Sequence, residues 1–194
     1  MVQSAEWLGE LSPSFSPKPT TVQRAARHLS KMERAKLLSA DIDKMRTAEG
    51  RWYEAIIYET FIDLATRSDS IRYLALKGAD APRRRRTARL GQNGIFYSRS
   101  GDITIRGNGQ DLAEFDLLMV DGENRITFAE VLTSPSDLKE FEVEIEYKRN
   151  LLGYLFDQQE VPFLLVSSFN VANYSAGRRI IRNPYTCYFQ TESC

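Results

Sequence analysis

Two apolar runs, each interrupted by a single acid, constrain the fold of this 194-residue chain more than any other feature. The segment EFDLLMVDGENRITFAEVLTS, residues 114–134, has Asp116 in the first run and Glu130 in the second. The runs predict strands at 115–120 and 125–133, separated by a polar turn. Apolar residues occupy both faces of these strands, so we expect a sheet covered on both sides, in which each acid needs a partner.

The length of the turn decides where the two acids lie relative to each other. A three-residue turn at 122–124 puts Asp116 directly opposite Glu130 on one face of the sheet, with Cβ atoms roughly 5 Å apart. Two carboxylates at this distance destabilise a sheet unless their charges are compensated. A shared proton, a basic side chain or a hard divalent cation such as Mg²⁺ would compensate them, and the pattern leaves all three open.

Periodicity along the remaining chain predicts a mixed α/β fold: an antiparallel three-stranded meander, a crossover helix and a further strand. Residues 1–47 are expected to form an N-terminal arm and helical extension, and residues 48–194 the core. The expected helices cover about 20–38, 40–46, 48–67 and 134–156. The expected strands outside the opening segment are one or two in 94–109, which would begin the meander, and a buried one at 162–168.

Acids of the expected helix 48–67 occupy different faces. Glu59, Asp63 and Arg67 recur every four residues and predict a stripe that faces solvent. Glu54 instead shares a side with apolar residues, so we expect it to be either paired or functional.

The expected helix 134–156 carries a lysine inside its apolar stripe. This lysine, Lys148, lies one turn after Glu144, and side chains at this spacing touch. The pair is either an ordinary surface ion pair or part of the site, since the helix has to pack back on the strands that carry Asp116 and Glu130. In the second case Glu54 would reach the same cluster from the earlier helix.

Charge is segregated along the chain although its net charge is zero. Residues 71–110 carry nine Lys/Arg against two acids, and residues 111–160 carry thirteen acids against four bases. Such blocks are typical of a phosphate-binding surface beside a metal-binding one, or of two unrelated solvated surfaces. We expect the loop 82–94 to bind double-stranded DNA, with a solvated charged loop as the alternative. Its basic residues are Arg83, Arg84, Arg85, Arg86 and Arg89.

Further basic residues are candidates for contacts with DNA. Arg99 and Arg106 lie in the expected strands next to the loop and could bind phosphates in the same way. Met45 stands between Lys44 and Arg46, an arrangement that can insert an apolar wedge into a minor groove, or in which the methionine is simply packed. The C-terminal tail is basic and aromatic, and its tyrosines are equally consistent with core packing.

Histidine and cysteine content narrows the chemistry. His28 is the only histidine, which argues against Cys/His zinc sites, Ser-His-Asp catalysis and a histidine general base. It lies in a charged helical pattern, where we expect it to be solvated or partly packed. The two cysteines are near the C-terminus, no apolar run is long enough to span a membrane, and the N-terminus does not resemble a signal peptide. A cytoplasmic protein without a disulfide framework is expected.

With these elements, residues 48–168 resemble the PD-(D/E)xK nuclease superfamily, and within it the type II restriction endonucleases. The resemblance lies in the helix with the inward Glu54, the meander with Asp116 on its second strand and Glu130 on its third, and the crossover helix. It implies a restriction-endonuclease-like core and Mg²⁺-dependent hydrolysis of phosphodiester bonds. Asp116 and Glu130 would hold the metal, with Glu54 behind them. A homodimer is expected, since cutting both strands of a symmetric site needs two copies.

The position two residues after the third-strand acid departs from the family pattern. The family usually has lysine there, whereas this chain has Leu132. Some members take a glutamate or lysine from the next helix instead. This implies that Lys148 orients the attacking water or neutralises the transition state, and that Glu144 binds a second metal or positions Lys148. The leading expectation is a sequence-specific type II DNA endonuclease. A junction-resolving, repair or mobile-element nuclease of the same fold, and a non-catalytic DNA-binding domain, are the alternatives.

Overall fold

The computed structural model of the protein describes residues 17–82 and 93–191. Their helices are α1 (Pro19–Ala25), α2 (Lys31–Leu37), α3 (Ile42–Ala65), α4 (Leu138–Phe156) and α5 (Ser175–Arg182). Their strands are β1 (Ile71–Leu74), β2 (Gly94–Tyr97), β3 (Ile103–Gly107), β4 (Gln110–Phe115), β5 (Leu117–Asp121), β6 (Ile126–Leu132), β7 (Phe163–Ser167) and β8 (Thr186–Gln190). Short 3-10 turns cover Ala26–His28, Gly78–Asp80, Pro135–Asp137 and Val171–Asn173.

The strands form two sheets. The larger is a mixed five-stranded sheet in the order β1-β5-β6-β7-β8, in which β5 is antiparallel to both neighbours and β6, β7 and β8 are parallel. The smaller is an antiparallel three-stranded sheet in the order β2-β3-β4. Helix α4 connects the parallel strands β6 and β7, as a crossover helix does. The predicted mixed α/β class with a helical N-terminal region is therefore confirmed.

The turn between β5 and β6 has the predicted length. Leu117 pairs with Ala129, and this register leaves the three residues 122–124 as the turn. The backbone N–H of Asp121 donates to the carbonyl of Arg125 at 3.0 Å, which closes the turn. The Asp121 carboxylate accepts from two backbone N–H groups of the turn at 2.9 Å each. The acid that ends β5 is thus the local reason why the register is held.

The predicted first strand of the meander is wrong. β1 pairs with β5, whereas the 94–109 segment forms β2 and β3 of the smaller sheet. The pattern does not reveal β1, because Arg72 and Tyr73 are exposed in the middle of this edge strand. It does not reveal β4 either, because most of that strand is exposed as well. Neither strand has the apolar face by which a sequence pattern identifies a strand.

The N-terminal helices divide at positions that the periodicity does not predict. The helix expected at 20–38 is broken between α1 and α2, and Ser30 caps α2 in a capping box. The pieces expected at 40–46 and 48–67 instead form the single helix α3, which Asp41 caps. The expected start of the core at residue 48 lies inside this helix.

Both faces of the five-stranded sheet are covered, as the apolar pattern predicts. One face packs on α3, in a cluster that contains Phe61, Leu117 and Leu164. The other packs on α4, α5 and the smaller sheet, in a cluster that contains Phe128 and Phe163. Among residues 17–82 and 93–191, no helix combines the length and the apolar content that crossing a membrane requires.

Glu59 corrects the predicted solvent-facing stripe of α3. Its side chain is fully buried, because α1 and the turn after it pack over this part of the helix. Its carboxylate accepts from Arg24 Nε at 2.8 Å and from Arg27 Nε at 2.9 Å, and lies 2.8 Å from His28 Nε2. Asp63, one turn later, binds Arg24 at 2.6 Å. Buried charges as well as apolar contacts therefore attach the N-terminal region to α3.

Candidate active site

Asp116 and Glu130 meet where β5 begins beside β6. The chain bends at Asp116, and the pairing of Leu117 with Ala129 brings Asp116 next to Glu130. The Asp116 carboxylate is fixed there, since its Oδ2 accepts from the backbone N–H of Val131 at 2.9 Å. Glu130 is buried within β6. The structure brings the two acids together as predicted, although Asp116 precedes β5 instead of lying within it.

Lys148 reaches Glu130 from α4. Its Nζ lies 2.7 Å from Glu130 Oε1 and 2.7 Å from Glu144 Oε1, and only 4% of its side chain is exposed. The predicted contact between Glu144 and Lys148 is therefore present, and burial excludes an ordinary surface ion pair. Lys148 Nζ also lies over the Phe115 ring, 5.3 Å from the ring centre, which adds a cation–π attraction.

A second buried lysine, which the sequence pattern does not single out, completes the site. Lys77 Nζ lies 2.9 Å from Asp116 Oδ1 and 3.1 Å from Glu54 Oε2, with 8% of the side chain exposed. Glu54 is thus a member of the site and is paired, as its inward position on α3 suggests. The only sequence signal for Lys77 is that a charged residue directly follows the apolar residues 74–76. We call Glu54, Lys77, Asp116, Glu130, Glu144 and Lys148 the carboxylate–lysine cluster.

Close backbone packing holds the segment that carries Lys77. Gly78 has a φ of 58°, and its N–H donates to the carbonyl of Gly101 at 2.9 Å. A Cβ on Gly101 would lie 2.3 Å from the Gly78 carbonyl oxygen, and one on Gly78 would lie 2.5 Å from His28 Nδ1. Both positions therefore require glycine. The Lys77 backbone is held between the N-terminal region and the loop that joins β2 to β3.

Three acids of the cluster, Glu54, Asp116 and Glu130, are mostly buried and repel one another, and the neighbouring lysines compensate their negative charge only in part. Burial, together with the charge of Asp116, raises the pKa of Glu130 to about 8, and the neighbouring lysine offsets only part of this shift. The same two causes raise the pKa of Glu54. Burial lowers the pKa of Lys77, but the Asp116 and Glu54 carboxylates outweigh burial, so the net shift is upward. An additional cation would stabilise a site with these properties.

Arg51 and Asp102 border the cluster beside Glu54. Arg51 Nη1 lies 2.7 Å from Asp102 Oδ1 and 3.3 Å from Glu54 Oε2. Asp102 is buried and also accepts from the hydroxyls of Ser98 and Ser100 at 2.7 and 2.6 Å. These contacts orient the guanidinium, which lines a small cleft together with Glu54 and keeps 38% of its side chain exposed. Sequence reasoning misses this pair, since its members lie on distant elements.

The segment proposed as a minor-groove wedge starts α3. Lys44 pairs with Asp41 at 2.9 Å, and Arg46 is exposed. Met45 is 38% exposed, so it is neither buried in the core nor fully presented to solvent. None of these contacts tests whether Met45 inserts into a minor groove, so the wedge stays a prediction.

Two of the other predicted DNA contacts, Arg99 and Arg106, belong to the smaller sheet and its connections. Arg99 is exposed between β2 and β3, and Arg106 on β3 binds Asp111 at 2.7 Å. The remaining predicted contacts lie outside the described residues: Arg83, Arg84, Arg85, Arg86 and Arg89.

A second group of possible metal ligands lies between the N-terminal region and the segment after β1. Ligand atoms of His28, Glu59 and Asp80 lie within 4.8 Å of one another. Arg27, however, already bridges Glu59 and Asp80 at 2.8 and 2.7 Å. The His28 ring is packed, with 5% of the side chain exposed, and its Nδ1 accepts from the backbone N–H of Ala79 at 3.1 Å. We therefore interpret this group as a structural charge network.

Comparison with known proteins does not assign the chain to a family. No protein-family model matches it, and no curated protein matches it either. A function has to be inferred from the carboxylate–lysine cluster and from the elements that position it.

Proposed function

We propose that this protein is a Mg²⁺-dependent, sequence-specific endonuclease that hydrolyses phosphodiester bonds of double-stranded DNA and has a restriction-endonuclease-like core. The observation that carries the proposal is the carboxylate–lysine cluster, in which Asp116 and Glu130 lie side by side and Lys148 contacts Glu130. The element order supports it. Helix α3, the antiparallel strands β5 and β6, helix α4 and strand β7 follow the order that the resemblance to PD-(D/E)xK nucleases implies. β1 takes the place of the expected first strand, and β2–β4 are inserted between β1 and β5.

The donor set of the cluster suits a hard divalent cation. Four carboxylates and two ammonium groups sum to a charge of −2 when all are ionised, and the neighbouring Arg51–Asp102 pair is neutral. Mg²⁺ prefers oxygen ligands, and protein sites commonly offer it one or two carboxylates. We assign Asp116 and Glu130 as its ligands, and the half-exposed Glu144, which contacts Lys148 at 2.7 Å, as the residue that positions this lysine. Mg²⁺ bound there would lower the pKa of a water and stabilise charge on the phosphoryl oxygens.

Lys148 has the geometry to act on water or phosphate next to Glu130. An ammonium group has three N–H donors, and Glu130 and Glu144 take two of them. The third can hold the attacking water or a phosphate oxygen, and fixing their mutual orientation lowers the barrier. Leu132, where the family pattern has lysine, packs in the apolar core. Helix α4 thus supplies the lysine that β6 lacks.

Glu54 acts on the site through its partners. It contacts Lys77 and Arg51 and makes no direct hydrogen bond to Asp116. Its negative charge holds both cations beside the metal ligands. The exposed part of Arg51 is then available to a DNA phosphate, to which guanidinium binds through two parallel hydrogen bonds.

The basic residues outside the cluster are assigned to DNA binding. Exposed Arg99 and the arginines of residues 83–89 are proposed phosphate contacts, since most protein hydrogen bonds to DNA go to its backbone. Cutting both strands of a symmetric site needs two active sites related by a two-fold axis, so we propose that the protein acts as a homodimer.

Incubation of supercoiled plasmid with the purified protein and Mg²⁺ tests the proposal. Discrete linear fragments are expected, and EDTA should abolish them because the cation is removed. Cleavage confined to branched or damaged DNA would favour a junction-resolving or repair nuclease of the same fold. If no substrate is cut with Mg²⁺ or Mn²⁺, the proposal is wrong and a non-catalytic DNA-binding domain takes its place.

Mg²⁺ binding is expected to strengthen as the pH rises toward 8. Because the pKa of Glu130 is raised to about 8, a proton competes with the cation at this carboxylate in neutral solution. The apparent affinity should rise by up to about tenfold per pH unit below that pKa and level off above it. Calorimetric titration of the DNA-free protein between about pH 6 and about pH 9 measures the change. A Glu130→Gln variant should bind weakly at every pH, and a flat profile for the wild type would contradict the assignment of Glu130.

A further inference from the structure

Lys77 is the one member of the carboxylate–lysine cluster to which the proposed chemistry gives no role. Its ammonium lies between two carboxylates, 2.9 Å from Asp116 Oδ1 and 3.1 Å from Glu54 Oε2. A divalent cation that bridged these two acids would have to occupy the same space. We infer that Lys77 is a positioning residue that takes the place of a second cation, so that the cluster binds one divalent cation and not two.

The balance of charges supports one cation. With its four carboxylates and both lysines ionised, as they are once a cation has displaced the proton from Glu130, the cluster carries a charge of −2, which a single divalent cation neutralises. A second divalent cation would leave an excess of +2 among mostly buried groups, and uncompensated charge is strongly disfavoured there. Without Lys77 the charge would be −3, and a second cation would leave only +1.

Lys77 is also poorly able to move aside for a metal ion. Its side chain is 8% exposed, so it has little route to solvent. The next residue, Gly78, contacts both the Gly101 backbone and the His28 ring so closely that neither glycine could carry a side chain. Lys148 is as deeply buried, with 4% of its side chain exposed, but its partner Glu144 is 52% exposed, so this ion pair borders solvent. The two lysines therefore have different roles: Lys77 holds Asp116 and Glu54, and Lys148 serves the substrate.

The inference rests on the proposed metal site, and its test measures metal binding without DNA. Mn²⁺ is the probe, because it takes the same oxygen ligands as Mg²⁺ and its free form is counted by electron paramagnetic resonance. The wild type is expected to bind one equivalent. Lys77→Met should bind a second equivalent and hold the first about tenfold more tightly, since a nearby positive charge is gone. Lys77→Arg keeps the charge and should bind one.

Lys31→Met is the matched control, since Lys31 is exposed at the start of α2. It should bind one equivalent with wild-type affinity. Circular dichroism verifies that each variant is folded. The wild-type stoichiometry keeps the inference testable if Lys77→Met does not fold, because two equivalents bound to the wild type would overturn it. A folded Lys77→Met variant that binds one equivalent with unchanged affinity would also overturn it.

Failure of the inference and failure of the proposed function give different results. A wild type that binds one equivalent but cuts no DNA disproves the nuclease and leaves the role of Lys77 supported. A wild type that cuts DNA and binds two equivalents supports the nuclease and disproves the role of Lys77. If the wild type binds no Mn²⁺, or if replacing Asp116 does not weaken the binding, both the proposed function and the inference on Lys77 are overturned.

Discussion

An Asp116→Asn variant is expected to cut DNA at least about a thousandfold more slowly than the wild type, because a metal site contributes several kcal/mol of transition-state stabilisation. Asparagine has the shape of aspartate and still offers an acceptor to the Val131 N–H, so the bend before β5 should persist. What is lost is the negative charge that holds the cation and pairs with Lys77. Rates of plasmid cleavage under single-turnover conditions measure the effect.

The control for this variant is Asp69→Asn, the same chemical change at an exposed position between α3 and β1. It should cut at the wild-type rate. Asp116→Asn should also lose Mn²⁺ binding while still binding DNA in EDTA, which separates a lost metal ligand from a lost fold. An Asp116→Asn protein that cuts within about tenfold of the wild-type rate would rule out Asp116 as a metal ligand.

The parts of the site that lie close in sequence follow from local rules. Asp116 and Glu130 are carried by adjacent strands joined by a short turn, and pairing rules alone bring them together. Lys148 is predictable because the apolar stripe of α4 has to face the sheet, and a lysine inside this stripe points the same way. Each of these inferences needs one turn length or one helical face, and no knowledge of the remaining fold.

Lys77 could not be predicted in this way. It lies 39 residues before Asp116 and 23 residues after Glu54, and the smaller sheet is inserted between Lys77 and Asp116. The strand before it, β1, is a short edge strand with exposed side chains, so no apolar pattern predicts that the chain enters the sheet there. The position of Lys77 depends on tertiary contacts of Gly78 and Gly101, which no spacing along the sequence encodes.

Glu59 illustrates a second limit of prediction from the sequence. A helical period reveals which residues share a face of the helix, but not which other elements cover that face. On α3, acids at every fourth position have the period of a solvated stripe. In the structure, α1 and the 3-10 turn after it cover Glu59 and Asp63 and supply Arg24 and Arg27 to these acids. In the sequence, Arg24 and Arg27 belong to an ordinary charged helical pattern, and only the fold shows that their charges are matched to the acids of α3.

Replacing Glu59 with alanine is therefore expected to destabilise the protein by about 2–4 kcal/mol. The Glu59 side chain is fully buried, and its loss leaves Arg24, Arg27 and His28 without their shared anion. The cost stays below that of a wholly buried pair, because Arg24 and Arg27 are 40% and 46% exposed and can turn to water. For a chain of this size, the midpoint of thermal unfolding should fall by roughly 5–15 °C.

Glu49→Ala is the matched control, because Glu49 is exposed on the same helix. It removes the same carboxylate without uncovering buried cations, and its unfolding midpoint should stay within about 2 °C of the wild type, since exposed substitutions change stability by less than about 0.5 kcal/mol. Urea unfolding at neutral pH gives both free energies. If Glu59→Ala costs no more than Glu49→Ala, the buried charges do not hold the N-terminal region on α3. The contact of His28 with the segment that carries Lys77 would then depend on packing, on the hydrogen bond from the Ala79 N–H to His28 Nδ1 and on the Arg27–Asp80 ion pair.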